Sequence, residues 1–487
     1  MFGNMKYRPS KSFVYLMVTL CPLVAALVFG LLPELPSMAA QPIPGEITFS
    51  SDKPAKATVG TISIVNTPRI HPSEWFEVGY ENLMKWEYNP WKTNNPYPFG
   101  AHYYKLLGSK DPKDQARAKE LQRLAKAFYE RLLLRYPEMA VAMKSIPDDQ
   151  NGFLKWLEFS ERLKKANSDS YYSSLGFPDE LDQYLNHGGP WNAEVAKTWL
   201  SEKKPLMDEI RAIGLMPDAS INGIDIDRWA FVPARLAKSC AESLMLEARY
   251  AAETGDTATA LESIRAAKGL ADHFTDVETP TLLGATIKLL IQQQLDKFVL
   301  NEIMPALPAG KMDPAAWESV LNPTVSSPTE LAKLFRGDWS SSTLQYILPV
   351  LVDAEDPDAV PDAGNLLDAH TAPFAENIRI FECAPMSDLP TLVAADIPDV
   401  SNLSRKSRQI AETFYIATRA WQKGWVRCQY LTSMTQAAFA VMNDRPMPKD
   451  PIYGQDYHWD SVTRQISMPD GNNYTELDIK PITVPKP

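Results

Sequence analysis

Aromatic side chains are the residues of this 487-residue chain that are most densely placed for ligand binding. Rings recur every few positions between residues 71 and 104, and five of them are candidates for a binding platform. These candidates are Trp75, Trp86, Trp91, Tyr97 and Tyr103. Aromatic faces stack on sugars and on peptides, whereas the same rings can fill grooves of a helical core. Both interpretations stay open, and the scarcity of clustered carboxylates and amides in this stretch favours packing.

A partial calcium-loop pattern begins at Asp218. Asp218, Ser220 and Asn222 occupy the first, third and fifth loop positions, and Gly223 occupies the sixth. The twelfth position should hold a bidentate glutamate and instead holds Trp229. The same residue types serve ordinary turns, so we expect a turn here, with no metal and no cofactor.

No catalytic constellation is evident in the sequence. There is no HExxH, GxSxG, P-loop or GxGxxG motif, and the six histidines lack metal-ligand spacing. These histidines are His71, His102, His187, His273, His370 and His458. His187 precedes Gly188-Gly189, which is typical of a helix C-cap. The chain therefore offers no catalytic residue by motif, and the sequence favours a protein without enzymatic activity.

The cysteines do not form a complete disulfide framework. Three follow the N-terminal region, and an odd number cannot all pair within one chain. Cys240 lies on an apolar helical stripe and is expected to be a small buried hydrophobe. Cys383 and Cys428 either form one disulfide or stay free.

The first forty residues predict the compartment. Lys6, Arg8 and Lys11 precede an apolar run from Phe13 to Leu32, and Ser37-Met38-Ala39 matches a signal peptidase site. The run is either a cleaved signal peptide or a single membrane anchor, and its length slightly favours the anchor. Both alternatives place the remaining chain in the cell envelope, outside the cytoplasm. A net charge of −11 without basic clusters argues against nucleic acid as a partner.

Three amphipathic helices between Trp229 and Pro305 form the centre of the predicted fold. The first runs from Val232 to Thr254, and Gly255-Asp256 supplies its C-cap and the next N-cap. The third is predicted to start with Thr279 as N-cap. A two-residue link makes the first two helices antiparallel, as in a tetratricopeptide-like hairpin. Such an array offers a concave binding surface, and the alternative is an ordinary helical core without a groove.

The whole chain is predicted to be mainly α, a tetratricopeptide-like array of antiparallel helices with a small C-terminal antiparallel β element. Four segments follow from composition and periodicity. They are residues 1–40 (signal peptide or anchor), 41–105 (extended and aromatic-rich), 106–445 (helical) and 446–487 (small β tail). Long helices are expected from Asp111-Pro112 to Tyr136 and from Ser404 to Met442. Residues 365–400 are punctuated by prolines and receive no assignment.

Several stretches resemble a poorly characterised family of bacterial envelope proteins with an N-terminal anchor and a helical-repeat body. The stretches are Ile-Pro-Asp-Asp-Gln-Asn-Gly-Phe at 146–153, Trp-Leu-Ser-Glu-Lys-Lys-Pro-Leu at 199–206, Ala-Arg-Tyr-Ala-Ala-Glu-Thr-Gly-Asp at 248–256, Pro-Thr-Leu-Leu-Gly-Ala at 280–285 and Pro-Lys-Asp-Pro-Ile-Tyr-Gly-Gln-Asp-Tyr-His-Trp at 448–459. The last of these also resembles the C-terminal strands of type II secretion pseudopilins, although no pseudopilin cleavage motif precedes the apolar run. The resemblance implies a protein of the envelope and brings no catalytic residues.

These observations favour a non-enzymatic envelope protein that binds a protein partner through its helical surface and contacts the membrane through its N-terminal apolar segment. Two alternatives stay open. One is a periplasmic hydrolase acting on a glycan, for which a cleft with two opposed carboxylates would be evidence. The other is an accessory subunit of a secretion or pilus-like system, which rests on the C-terminal tail alone.

Overall fold

The computed structural model describes residues 103, 106, 109–166, 175–224, 234–352, 363–390, 403–404, 407–408, 418–471 and 479–486. The helices, in chain order, are α1 (Pro112–Arg135), α2 (Gly152–Ala166), α3 (Asp179–His187), α4 (Ala193–Glu202), α5 (Lys204–Gly214), α6 (Ala234–Glu253), α7 (Thr257–Asp276), α8 (Leu282–Phe298), α9 (Pro314–Leu321), α10 (Pro328–Ser342), α11 (Leu348–Leu351), α12 (Ala363–Cys383) and α13 (Thr418–Met442). The prediction of a mainly α protein is confirmed.

Side-chain caps explain where several helices begin. The Asp111 carboxylate accepts a hydrogen bond from the Lys113 N–H at 2.8 Å, and Pro112 occupies the first turn of α1, where no N–H is needed. Asp256 caps α7 in the same way through the Thr259 N–H at 3.1 Å. The predicted helix from residue 111 to residue 136 is therefore confirmed to within one residue at each end.

The α6–α7 hairpin follows the sequence prediction closely. Gly255 adopts a left-handed backbone conformation with φ of 79°, which ends α6 and allows α7 to return along it. Helix α8 begins later than predicted, because Thr281 and not Thr279 is its N-cap and accepts a hydrogen bond from the Gly284 N–H at 3.0 Å. The backbone of Pro280 lies against Gly337 in a neighbouring helix, and α8 begins only after this contact.

Helix α8 is the central helix of the described structure. Its N-terminal Leu282 and Ala285 belong to one hydrophobic core, while Ile287 and Ile291 belong to a second. Burying a side chain of this size contributes about 1.5–3 kcal/mol, so α8 is stabilised by both cores. A polar contact also joins α8 to α13. The Gln293 amide donates a hydrogen bond to the sulfur of buried Cys428 at 2.9 Å.

Glycines permit the closest helix contacts. A Cβ at Gly337 of α10 would overlap the carbonyl group of Pro280, so this position has no room for a side chain. Helices α5 and α7 meet in a similar way, since a Cβ at Gly214 would overlap the Ala266 carbonyl and a Cβ at Gly269 would overlap the Gly214 carbonyl. Next to the Gly337 contact, the Leu282 N–H donates to Asp338 at 3.3 Å, which joins α8 and α10 at their crossing.

The later part of the chain contains helical features that were not predicted from the sequence. Helix α12 spans Ala363–Cys383 and retains Pro373 in its interior. Two π-helical turns, Val299–Ile303 and Thr343–Ile347, continue α8 and α10. Helix α13 ends at Met442 as predicted, whereas residues 405–406 and 409–417 of the predicted helix lie outside the described residues.

The C-terminal segment forms the small antiparallel sheet that the sequence predicts. Strands β1 (His458–Asp460), β2 (Gln465–Ser467) and β3 (Ile482–Thr483) pair in the order β1-β2-β3. Ile466 of β2 is opposite Trp459 in one pair and opposite Ile482 in the other. Ile466 is fully buried in the same core as α6 and α7, so the sheet packs on the helical body.

Two finer predictions have different outcomes. A tetratricopeptide-like repeat arrangement is not confirmed, although α6 and α7 form the expected hairpin. The signal peptide or anchor predicted at residues 1–40 lies outside the described residues. Within the described part of the chain, no helix is both long and apolar enough to cross a bilayer.

Candidate functional site

The predicted aromatic platform is described at only one of its five positions. Tyr103 is 2 % exposed and packs with Leu106 and Leu121 in a small core beside α1. Its hydroxyl lies 3.2 Å from the Gln122 amide nitrogen, which donates to it. Trp75, Trp86, Trp91 and Tyr97 lie outside the described residues, so their stacking role stays a prediction.

A second aromatic cluster lies between α3 and α6. The rings of Tyr184 and Trp191 are 5.0 Å apart, and the Arg249 guanidinium lies 5.0 Å from the Trp191 ring centre. This distance places the cation within reach of the negative face of the indole. We call Tyr184, Trp191, Arg249, Glu253 and Glu302 the Trp191 cluster.

A glycine turn brings Trp191 to this position. Helix α3 ends at His187, and Gly188 adopts a left-handed conformation with φ of 69°. The Gly189 N–H then donates to the Gln183 carbonyl at 2.9 Å, which closes the turn. The prediction that His187 marks a helix C-cap is confirmed.

Two carboxylates fix the polar edges of the rings. The Trp191 indole N–H donates to Glu253 at 2.6 Å, and Arg249 forms an ion pair with the same carboxylate at 3.1 Å. The Tyr184 hydroxyl donates to Glu302 at 2.7 Å. Burial raises the pKa of Tyr184, and the Glu302 carboxylate raises it further. The phenol is therefore a neutral hydrogen-bond donor at physiological pH.

The Trp191 cluster is held by hydrogen bonds and an ion pair but is not sealed from solvent. The Arg249 side chain is only 14 % exposed, whereas the Glu253 side chain is 43 % exposed, so the Glu253 carboxylate is the part of the cluster that faces water. One guanidinium is set against two carboxylates, which fits a partner that presents positive charge or N–H donors. This cluster has no signal in the sequence, because its residues come from three separate segments with no common spacing.

Ser342 and His370 are close enough for a nucleophile and its general base, but their surroundings do not suit that chemistry. The Ser342 hydroxyl lies 3.2 Å from His370 Nε2, and it also donates to the Trp339 carbonyl at 3.1 Å. Both residues are buried in the core between α10 and α12, and burial lowers the pKa of His370 to about 3. A neutral imidazole enclosed by the core has no route to a substrate, so we interpret the pair as a packing contact.

The residues of the partial calcium loop bond to the protein itself. The Ser220 hydroxyl donates to Glu278 at 2.6 Å, and the Asn222 amide donates to the Lys144 carbonyl at 2.8 Å. Gly223 adopts a φ of 79°, as a turn requires. Across the described ranges, no group of three or more His, Cys, Asp or Glu residues is arranged to hold a metal ion.

The three described cysteines are free thiols. Cys240 and Cys428 are buried, and Cys383 is exposed, so the alternative of a Cys383–Cys428 disulfide is wrong. Burial raises the pKa of Cys428 to about 12, which leaves this thiol protonated. Cys240 is the buried hydrophobe that its apolar stripe predicts.

No family model matches the chain, and comparisons with curated proteins and with solved structures found no match either. What the chain binds therefore has to be inferred from its own side chains. Among the described residues, the Trp191 cluster combines side-chain types common at binding sites, hydrogen bonds that position them and partial exposure.

Proposed function

We propose that the protein is a non-enzymatic binding or scaffold protein of the cell envelope. In this proposal the tetratricopeptide-like array of α6, α7 and α8 carries the Trp191 cluster, and the cluster docks a protein partner. The observation that carries the proposal is the contact of Trp191 with both Tyr184 and Arg249 on a partly exposed face.

The side-chain types favour a protein over a small molecule. Tryptophan, tyrosine and arginine are the residues most enriched among those that dominate binding energies at protein interfaces. Here the three are already held by Glu253 and Glu302, so little side-chain entropy would be lost on binding. Because the cluster has two carboxylates and one guanidinium, we expect the partner to present lysine or arginine side chains at its contact surface.

The envelope location is the second part of the proposal. It rests on Lys6, Arg8 and Lys11 before the apolar run from Phe13 to Leu32, and on the resemblance to anchored envelope proteins. An anchor would hold the helical body at the membrane surface, where it meets other envelope proteins. A secretion or pilus-like assembly is one setting for such a partner, and pseudopilin-like proteins would then be captured.

Affinity capture from membranes of the native host tests this function. The full-length protein is compared with Arg249→Gln, which removes the guanidinium from the Trp191 ring, and with Arg379→Gln as a matched control. Arg379 pairs with Glu376 at 2.5 Å on the exposed face of α12, so this change also removes one helix-surface ion pair.

We expect a reproducible partner that binds the full-length protein and Arg379→Gln but is lost or reduced at least about tenfold with Arg249→Gln, since interface arginines often contribute more than 1 kcal/mol. Equal capture by all three proteins would contradict the role of the cluster. Capture of glycan strands, followed by their cleavage, would replace the scaffold proposal with the glycan-acting alternative.

A further inference from the structure

Helix α1 has the opposite charge to the chain as a whole. Its 24 residues contain seven lysines and arginines and only three aspartates and glutamates, a net charge of +4, whereas the chain carries −11. The cations are Lys113, Arg117, Lys119, Arg123, Lys126, Arg131 and Arg135. They are dispersed among other residues in the sequence, so the positive charge becomes a surface feature only when the helix forms.

Helical spacing places three of these cations together on the solvent side of α1. Lys119, Arg123 and Lys126 follow one another at intervals of four and three residues, which puts them on one side of a helix, and all three are exposed. The opposite side is the buried one. Its buried residues are Ala118, Leu121, Ala125 and Leu132. The helix is thus fixed to the protein by its apolar side and presents its cations outward.

The protein compensates only part of this positive charge. Arg123 pairs with Glu120 at 2.7 Å and remains 67 % exposed. Lys119 and Lys126 form no ion pair with any residue in the described part of the chain. Glu130 is the other carboxylate on the exposed side of the helix. Positive charge therefore remains available to an external anion.

An exposed apolar side chain accompanies the cations. Leu134 is 72 % exposed, although the other leucines of α1 are buried or half-buried. It lies eight residues after Lys126, which is about two helical turns. Cations bind the phosphate groups of a bilayer, and a leucine beside them can enter the boundary between headgroups and acyl chains. We call Lys119, Arg123, Lys126 and Leu134 the basic face of α1.

We propose that the basic face of α1 docks on a bilayer surface rich in anionic phospholipids. The ammonium and guanidinium groups donate hydrogen bonds to the headgroup phosphates, and Leu134 contacts the acyl boundary. This inference rests on the envelope location in the proposed function, because the apolar run from Phe13 to Leu32 would hold α1 near a membrane. It does not use any residue of the Trp191 cluster.

Fluorescence from a defined position on α1 tests the proposal. The full-length protein is reconstituted with vesicles of phosphatidylcholine alone, or of an equal mixture with phosphatidylglycerol. A polarity-sensitive label is attached at Ala127→Cys, on the exposed side of α1, in a Cys383→Ser background, since the other two described thiols are buried. A label at Ser201→Cys, exposed on α4, is the reference.

We expect the label at position 127 to shift to shorter wavelength, and to be quenched by nitroxide-bearing lipids, only when phosphatidylglycerol is present. Added salt should reverse both effects, because it screens exposed charges. The label at position 201 should respond to neither vesicle. This comparison separates docking of α1 from insertion of the apolar run, which phosphatidylcholine alone would also permit.

Two triple variants with equal loss of charge test the role of the cations. Lys119→Gln, Arg123→Gln and Lys126→Gln together should weaken binding to the anionic vesicles at least about tenfold, since each cation near such a surface contributes attraction. The control removes three exposed lysines outside α1 and should leave binding unchanged. It combines Lys197→Gln, Lys204→Gln and Lys311→Gln.

Equal responses at positions 127 and 201, no response to phosphatidylglycerol, or unchanged binding by the α1 variant would overturn the proposal. A stronger response to a duplex DNA fragment than to the vesicles would also overturn it, in favour of nucleic acid. These results are distinguishable from failure of the proposed function, because loss of partner capture with Arg249→Gln depends on the Trp191 cluster and needs no lipid.

Discussion

Ser220 and Glu278 are 58 positions apart in the chain, and the Ser220 hydroxyl donates a 2.6 Å hydrogen bond to the Glu278 carboxylate. The same carboxylate accepts the backbone N–H groups of Lys144 at 2.8 Å and Ile221 at 3.0 Å. Glu278 is only 3 % exposed. A single buried carboxylate thus joins the segment before α2 and the turn after α5 to the end of α7.

Replacing Glu278 with glutamine should destabilise the protein by about 2–4 kcal/mol near neutral pH, because charge-assisted hydrogen bonds are lost and an amide N–H₂ faces backbone donors. Burial acts to raise the pKa of Glu278, but the bonds from Ser220 and Ile221 prevail and the pKa is lowered below its ordinary 4.5. This stabilisation is complete above the ordinary pKa and disappears as the pH falls through the lowered value.

Chemical denaturation at several pH values measures this effect. Because protonated Glu278 no longer makes charge-assisted hydrogen bonds, the destabilisation by Glu278→Gln should be smaller in acid than near neutral pH. Glu376→Gln on α12 is the matched control, since Glu376 is 43 % exposed and pairs with Arg379. Such surface pairs contribute at most about 1 kcal/mol, so a loss as large as that of Glu278→Gln would refute this account.

Gly337→Ala should cost about 2–4 kcal/mol, because the added methyl group overlaps the Pro280 carbonyl and forces α8 and α10 apart. Gly364→Ala is the control. Gly364 lies in α12, where an added methyl group would meet open space, so this change should be neutral or slightly stabilising. Thermal unfolding of both variants measures the difference, and equal midpoints would show that the crossing tolerates a side chain.

Asp296→Asn should make stability less dependent on pH. Burial raises the pKa of Asp296 to about 7, and its carboxyl group has the Gln292 amide at 2.7 Å and the Thr435 hydroxyl at 3.3 Å as neighbours. The folded state keeps the proton while the unfolded chain ionises near its ordinary value of 3.8. Wild-type stability therefore falls as the pH rises from that value through about 7.

The asparagine variant and the wild type should have similar free energies of unfolding in mild acid. Above the folded pKa the variant should be more stable by on the order of 2–4 kcal/mol, because it buries no ionisable carboxyl group. Asp470→Asn, at a side chain that is 98 % exposed, serves as the control. Parallel curves of stability against pH for wild type and Asp296→Asn would show that Asp296 ionises freely in the folded protein.

The elements that were predicted correctly are those with local causes. Asp256 and Gly255 define the α6–α7 junction through caps that depend on a few adjacent residues. Helix α12 was not predicted because Pro373 lies within it and proline normally interrupts a helix. Packing of Phe374 and Phe381 in the core outweighs the backbone hydrogen bond that Pro373 cannot make. The π-helical turns after α8 and α10 have no sequence signal that distinguishes them from ordinary helix.

The Trp191 cluster and the contact of Lys333 of α10 with Thr275 of α7 were not predictable from spacing. Trp191 meets Glu253 across 62 positions, and Lys333 meets Thr275 across 58. Such contacts depend on how helices cross, and the crossing depends on close backbone contacts such as Gly337 with Pro280. His273 also could not be assigned from spacing: it is buried against Gly152, and its Nε2–H donates to the Met216 carbonyl at 2.9 Å.

Site-specific photo-crosslinking in living cells tests the central proposal most directly. A photoreactive residue replaces His187, which is 58 % exposed at the end of α3 beside the Trp191 cluster, and a second protein carries it at the exposed position of Arg379 on α12. The account predicts a discrete protein adduct from position 187 that disappears when Arg249→Gln is added, and no such adduct from position 379. Identical adducts from both positions, or an adduct from position 187 that Arg249→Gln leaves unchanged, would contradict it.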